Sequence, residues 1–330
     1  MESREIGFVM DPIGSIKIRK DSTFAMMLAA QRRGWRIQYL ELGDLFLARS
    51  RPQGRMRELA VADDPSGWFR VLGETTRPLD SLPLILMRKD PPFDMEYIYA
   101  TYLLELARDA GSLVVNDPRS LRDANEKVFT VRFPHCCPPT LITRRLSDIE
   151  AFLDQQDDII LKPLGGMGGQ SVFRVRRADP NLYVIVEDLT ARGTRYCMGQ
   201  RFISEIAQGD KRILLVDGDP VPYALARIPR PGETRGNLAA GGSGEGRPLT
   251  ERDRWICAEV GPELVRRGIL FAGLDVIGEY LTEINITSPT CIRELDAQYG
   301  LDIAGSLLDR LEGRLGTPPR SEALLHADLS

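Results

Sequence analysis

The opening of the chain restricts the fold most. EIGFVMDP is an apolar run of strand character, DSTFAMMLAAQRRG carries an Asp/Ser start, an apolar stripe and a terminal glycine, and WRIQYLEL is strand-like again. Strand, capped helix, strand in so short a span favours a parallel sheet covered by helices. LPLILMRKDPPFD continues as a strand ending in a charged loop, YIYATYLLELARDAG as a helix, and LVVN as a short strand before the loop DPRSLRDANEK. The polar, Gly/Pro-punctuated stretch from about Arg49 to Leu79 predicts only short elements.

A second unit begins near Asn125, with a helix through VFTVRF stopped at Pro134. Then come the strand TLITR, the helix LSDIEAFLDQQ, the strand DDIILKP and, after a glycine turn, strands in VFRV and LYVIVEDL. From about Gln200 to Gly316, RFI, RILLVDGDPVPYALARI and FAGLDVIGEYLTEINI predict an antiparallel or mixed sheet, with the helix ERDRWICAEVGPELVRRG between. A chain of 330 residues suits several such units. The expected division is 1–124, 125–199 and 200–316, with a polar tail at 317–330.

Composition removes several chemistries. Only His135 and His326 are present, and Cys136, Cys137, Cys197, Cys257 and Cys291 form no metal-ligand spacing, so a His-based triad or a zinc site lacks its usual groups. A net charge of −4 with scattered arginines gives no nucleic-acid surface, and no apolar run reaches membrane-spanning length. The acidic, strand-like N-terminus differs from a signal peptide, which predicts a cytoplasmic protein. Carboxylates, lysines, arginines and a metal are left to do the chemistry.

Three stretches supply them. KPLGGMGGQS, residues 162–171, leaves backbone N–H groups free to converge on an anion, although an ordinary hairpin turn uses the same glycines. It is neither a Walker loop nor a dinucleotide fingerprint, since no Gly-Lys-Ser/Thr closes it and a strand follows it. Lys162 favours the phosphate cradle, supplying a compact charge beside it.

In FAGLDVIGEYLTEINI a hairpin with a three-residue loop sets Asp275 opposite Glu283, with Asn285 on the same face, whereas a two-residue loop would offset the pair. An all-oxygen set of this kind suits Mg²⁺ that also takes phosphates and waters; the alternative is a solvated polar edge. Finally, Lys211 and Arg212 stand at a strand start, and Arg227, Arg230 and Arg235 lie at and within the glycine-rich run 228–242, which is either a surface connection or a moving cover; Arg88 with Lys89 ends a first-domain strand where open α/β sheets hold ligands.

Together these stretches resemble the ATP-grasp superfamily, and within it the prokaryotic glutathione synthetase family. VMDPIGSIKIRKDSTFAMMLAAQRRG, ILMRKDPPFD, VNDPRSLRDANEK, DIILKPLGGMGG, GTRYCMGQ, DKRILLVDG, ARIPRPGETRGNLAAGG and LTEINITSPTCIRE carry the resemblance, nearly to Leu315. It implies an α/β (α+β overall) ATP-grasp fold: an N-terminal parallel-sheet domain, a small central lid domain and a C-terminal mixed or antiparallel-sheet domain. ATP lies between the last two.

It also implies that Lys127, Lys162 and the loop Gly165, Gly166, Met167, Gly168 and Gly169 hold phosphates. Gln200, Phe202 and Ile203 meet adenine, and Asp210 meets ribose. Asp275, Glu283 and Asn285 hold Mg²⁺, or Mn²⁺ in its place. Arg212, Arg227 and Arg235 face the reacting groups, and Arg88, Arg235 and Asn237 the substrates. The implied reaction is ATP-dependent joining of γ-glutamylcysteine and glycine through an acyl phosphate, in a homo-oligomer, a tetramer. Another ATP-grasp carboxylate-amine ligase, such as one joining two D-alanines, or a non-catalytic nucleotide-binding regulator, is the alternative. Gly165 departs from a relative with Asp there, and the tail beyond Gly316 has no match.

Overall fold

The computed structural model describes residues 4–166, 168–230, 236 and 243–315. The expected unit opens it: β1 (Glu5–Val9), α1 (Ser22–Arg32) and β2 (Arg36–Leu40), with β1 and β2 parallel. Asp21 accepts the Phe24 N–H at the helix start, the reason an acidic residue stands there. β3 (Leu45–Ala48), β4 (Arg51–Val61), β5 (Phe69–Pro78), β6 (Leu84–Met87), α2 (Met95–Asp109) and β7 (Leu113–Val115) complete a sheet of order β3-β4-β2-β1-β6-β7, with β5 on β4. Its centre, β2-β1-β6-β7, is parallel.

Two expectations fail in this half. The stretch 49–79 is not a set of short pieces: β4 and β5 are strands of 11 and 10 residues, concealed because β5 is mostly exposed and shows no apolar alternation. DPRSLRDANEK is not all loop either, since α3 (Pro118–Asp123) starts on an Asp117 cap with proline in its first turn.

The central unit holds β8 (Thr140–Thr143), α4 (Leu146–Gln156), β9 (Asp158–Pro163), β10 (Phe173–Arg176), α5 (Leu182–Thr190) and β11 (Cys197–Arg201), in an antiparallel sheet of order β10-β9-β11-β8. LYVIVEDL is therefore helix α5 and not a strand. Leu182, Val186 and Leu189 bury one helical face, a spacing masked by valine and isoleucine between them. VFTVRF is a 3₁₀ turn, Val128–Arg132, in place of a full helix.

The last sheet runs β14-β13-β12-β15-β16, all antiparallel, from β12 (Asp210–Val216), β13 (Asp219–Ile228), β14 (Ser243–Pro248), β15 (Phe271–Ile277) and β16 (Tyr280–Asn285). α6 (Glu251–Arg266), α7 (Ile292–Tyr299) and α8 (Ile303–Glu312) cover it. The first and last sheets share two apolar cores: Ile6, Phe8 and Phe24 pack with Leu307 and Leu308 in one, Leu104 and Val114 with Ile256 and Leu274 in the other. The central unit has its own core around Ile149, Leu161 and Val186. No described helix is long and apolar enough to cross a membrane.

One backbone contact seats α6 on the β12–β13 turn. A Cβ at Gly261 would stand 2.4 Å from the Gly218 carbonyl oxygen, and backbone cannot swing aside as a side chain can. Gly261→Ala gains about 1 kcal/mol of helix propensity yet meets an overpacking cost of about 1–3 kcal/mol. The expected outcome is a lower thermal unfolding midpoint by calorimetry.

Candidate active site

The β15–β16 hairpin reaches the expected pairing by an unexpected route. Its loop has two residues, Gly278 and Glu279, and Val276 pairs Leu281 while Asp275 pairs Glu283. The two-residue turn offsets the register by one, and the bulge at Thr282 restores it. Asn285 falls on the same face, its Nδ2 donating to Asp275 Oδ2 at 3.1 Å.

β12 lies on the other side of β15, so Arg212 stands beside Asp275 in register. Its guanidinium grips both carboxylate oxygens, with NH2 donating to Oδ2 at 2.8 Å, while Arg227 from β13 reaches Oδ2 at 2.9 Å. Arg227 also pairs with Asp210. Burial would raise the Asp275 carboxyl, but the two guanidiniums outweigh it and hold its pKa below the usual range. Asp210 goes the other way: burial, opposed by Arg227 and aided by Asp275 and Glu283, pushes it up to about 6. Asp210 Oδ1 is buried with no hydrogen-bond partner among the described residues.

Lysines play the same part for Glu283. Lys162 Nζ approaches Oε1 at 3.3 Å and Lys127 Nζ at 3.7 Å; both lysines are buried. Burial raises the Glu283 carboxyl and the lysines bring it below its ordinary value. Lys127 also donates to Glu126 and to the Gly166 carbonyl at 3.2 Å, so it touches the glycine loop directly.

One cleft of about 890 Å³, including its open mouth, gathers most of these groups, while Arg212, Arg227 and Asn285 reach it only through Asp275 and are not among its lining residues. Lys127, Lys162, Gly166, Gly168, Gly169, Gln200, Phe202, Ile203, Asp210, Asp275 and Glu283 all face it, as does Gly236 from the run 228–242. Gln200 Nε2 donates to Thr140 Oγ1 at 3.2 Å, and the Phe202 ring lies 3.5 Å beneath the Arg174 guanidinium. Gly165 lines instead a separate hollow against α5. Arg88 stands apart from the cleft, its Nε donating to Thr23 Oγ1 at 3.1 Å and NH2 to the Pro289 carbonyl at 2.9 Å. Met167, Arg235 and Asn237 lie outside the described residues.

The donor set fits a hard divalent cation. Among the described residues no three His, Cys, Asp or Glu side chains converge, so the protein offers two neighbouring carboxylates and an amide, and phosphate oxygens and water complete such a shell. Two contributors escaped the sequence reading. Asn125 Oδ1 caps the N–H groups of Lys127 and Val128 while its Nδ2 donates to Leu164 O at 3.2 Å, and Glu126 holds Lys127; the Asn in ANEK, a turn-forming residue, was the available signal for the first.

Asp275→Asn leaves Arg212 and Arg227 buried without their shared counter-charge, which costs about 3–5 kcal/mol. Because the folded carboxyl titrates below its unfolded value of about 3.9, the wild-type contribution is complete above that pH and fades as pH falls further. Urea unfolding should therefore show a large deficit in the variant at pH 7 that narrows below about pH 4.

Residues 5–122 match the prokaryotic glutathione synthetase N-terminal domain and residues 126–300 its ATP-grasp domain. The chain is 59% identical over 313 residues to the glutathione synthetase of Pseudomonas putida, covering 95% of this chain and 99% of that one. It is 57% identical over 311 residues to that of Escherichia coli K12, covering 94% and 98%. Among solved structures, D-cycloserine synthetase DcsG superposes with a TM-score of 0.65 at 14% identity over 94% of this chain and 99% of that chain, a likeness of fold. A RiPP-associated ATP-grasp ligase from Chryseobacterium gregarium gives 0.64 at 12% over 94% and 97%. With both family models spanning most of its length, the chain belongs to the prokaryotic glutathione synthetases of the ATP-grasp fold.

Proposed function

We propose that an acyl phosphate carries the reaction by which this chain joins γ-L-glutamyl-L-cysteine to glycine, converting ATP to ADP and phosphate and yielding glutathione. One observation supports the route above others: Lys127, Lys162, Asp275, Glu283 and the glycine loop face a single cleft. A carboxylate oxygen of the cysteine residue attacks the γ-phosphorus and ADP leaves. Glycine's amine then attacks the acyl carbon, phosphate departs, and the ammonium proton is lost to solvent. A carboxylate is already a nucleophile, so no histidine base is needed.

The roles follow from charge. Lys127 and Lys162 hold phosphate oxygens, with the N–H groups of Gly166, Gly168 and Gly169 beside them. Arg212 and Arg227 offset negative charge gathering at the transferring group, and positioning supplies much of the remaining acceleration. Gln200, Phe202 and Ile203 take the adenine, and the unpartnered Asp210 Oδ1 suits a ribose hydroxyl donor. Arg88, buried with no ion pair among the described residues, suits a carboxylate of γ-glutamylcysteine. ATP-grasp ligases work with ATP and a divalent metal; we assign Mg²⁺, with Mn²⁺ able to replace it, to Asp275, Glu283 and Asn285, where the ion would shield the phosphate charges.

An acyl phosphate must be kept from water. The run 228–242 is our candidate cover: Ile228 pairs with Ser243, so both ends are pinned beside Arg227, and Gly236 rests against Asp210 and Arg227. Arg235 and Asn237 would bring substrate contacts with it. We retain the division 1–124, 125–199 and 200–316, a cytoplasmic setting and a homotetramer as parts of this reading.

ADP release measured with γ-glutamylcysteine or glycine omitted in turn should collapse in both cases; release that ignores either substrate defeats the assignment. A Cβ at Gly236 would lie 2.4 Å from the Arg227 carbonyl oxygen. In the same assay Gly236→Ala should raise the ratio of ADP to glutathione, and an unchanged ratio argues against the cover.

A further inference from the structure

VNDPRSLRDANEK contains a residue that no step above uses. Asn116 directly follows β7 and is only 4% exposed. Its Oδ1 accepts the N–H groups of Leu270 and Phe271 at 2.8 and 3.0 Å, and its Nδ2 donates to the carbonyls of Phe271 and Ile286 at 2.7 and 2.6 Å. Every bond an amide can make on these partners is made, and a reversed amide would set donors against donors. Phe271 begins β15 and Ile286 follows β16. A first-domain side chain therefore clasps both open ends of the hairpin that carries Asp275, Glu283 and Asn285.

The clasp reaches further. Three residues beyond Ile286, Pro289 accepts Arg88 NH2, and Pro289 packs against Gly273, where an added Cβ would meet it at 3.1 Å and Arg212 Cδ at 2.7 Å. The metal-bearing strands, the arginine on Asp275 and the arginine awaiting a substrate carboxylate thus all depend on the positions of residues 271 and 286. We infer that Asn116 is a positioning residue for ligation: it holds the metal hairpin in register with the Arg88 side of the substrate site. It touches no reactant, and the rest of the same interface shows what plain docking looks like, Asp117 N–H bonding Gly268 O and Ser120 Oγ bonding Arg267 O at 2.6 Å.

This inference rests on the ligase reading, and the experiment separates the two. Asn116→Ala and the milder Asn116→Ser are compared with Ser120→Ala, which removes a neighbouring bond without touching the hairpin. Four quantities are read: melting temperature, KM for γ-glutamylcysteine, Mn²⁺ affinity by EPR, and ADP affinity in EDTA. Misplaced supports of metal ligands typically cost about 10–100-fold in affinity. The Asn116 variants should weaken Mn²⁺ binding and raise that KM by about tenfold or more, with metal-free ADP affinity changed far less, because the backbones that carry Lys127, Lys162 and the glycine loop belong to other elements. Ser120→Ala should lower the melting temperature alone. If Asn116 and Ser120 variants behave alike, or if no Asn116 variant folds, the residue is merely structural. Wild-type ADP release indifferent to γ-glutamylcysteine would sink the ligase reading instead.

Discussion

Charge buried on both sides of one cleft is the constraint on which the rest of the molecule depends. Lys127, Lys162, Arg212 and Arg227 are almost wholly removed from water, and so is Asp275. Unpaired, any one of them would be severely unfavourable. Each is held by an opposite charge from another strand or turn: Asp275 by Arg212 and Arg227, Glu283 by the two lysines, Lys127 also by Glu126. Paired charges of this kind add little to stability compared with an apolar core. On the proposed reading, their value is that the cleft already contains cations for phosphate and carboxylates for a metal.

Holding them there requires three sheets. The antiparallel sheet at the end of the chain lines up β13, β12, β15 and β16, so that Arg227, Arg212, Asp275 and Glu283 follow one another across adjacent strands. The central sheet adds Lys162 and, from β11, Gln200 to the cleft lining, and its separate core makes it a distinct packing unit. The first sheet contributes no side chain to the cleft itself. It shares its cores with the last sheet and supplies Arg88 and Asn116 at the ends of β6 and β7, where open α/β sheets present ligand-facing residues.

Much of this was legible in the residues, and the failures have physical causes. The βαβ opening and the β9–β10 hairpin rest on strong local patterns and stand in the structure, and so does the Asp275–Glu283 pairing, whose register hung on the length of the hairpin loop. The route to that pairing was misjudged, because a bulge is a property of two strands together and has no signature in either one. LYVIVEDL misled because apolar, β-branched residues occupy positions that a short helix also buries. β5 stayed hidden since an exposed strand shows no alternation. Asn116 escaped because its partners lie up to 170 residues distant, which spacing along the chain does not reveal; Glu126 escaped although its partner Lys127 is adjacent, because only the fold shows that this lysine is buried and needs a carboxylate.

The central claim is that Asp275 and Glu283, restrained by arginines and lysines, form the metal half of a nucleotide site. Calorimetric titration of ADP, with and without Mg²⁺, into the wild-type protein and Glu283→Gln tests it most directly. The account predicts that Mg²⁺ strengthens ADP binding in the wild type and that most of this gain disappears in the variant, while metal-free binding persists. An equal gain from Mg²⁺ in both proteins would contradict it.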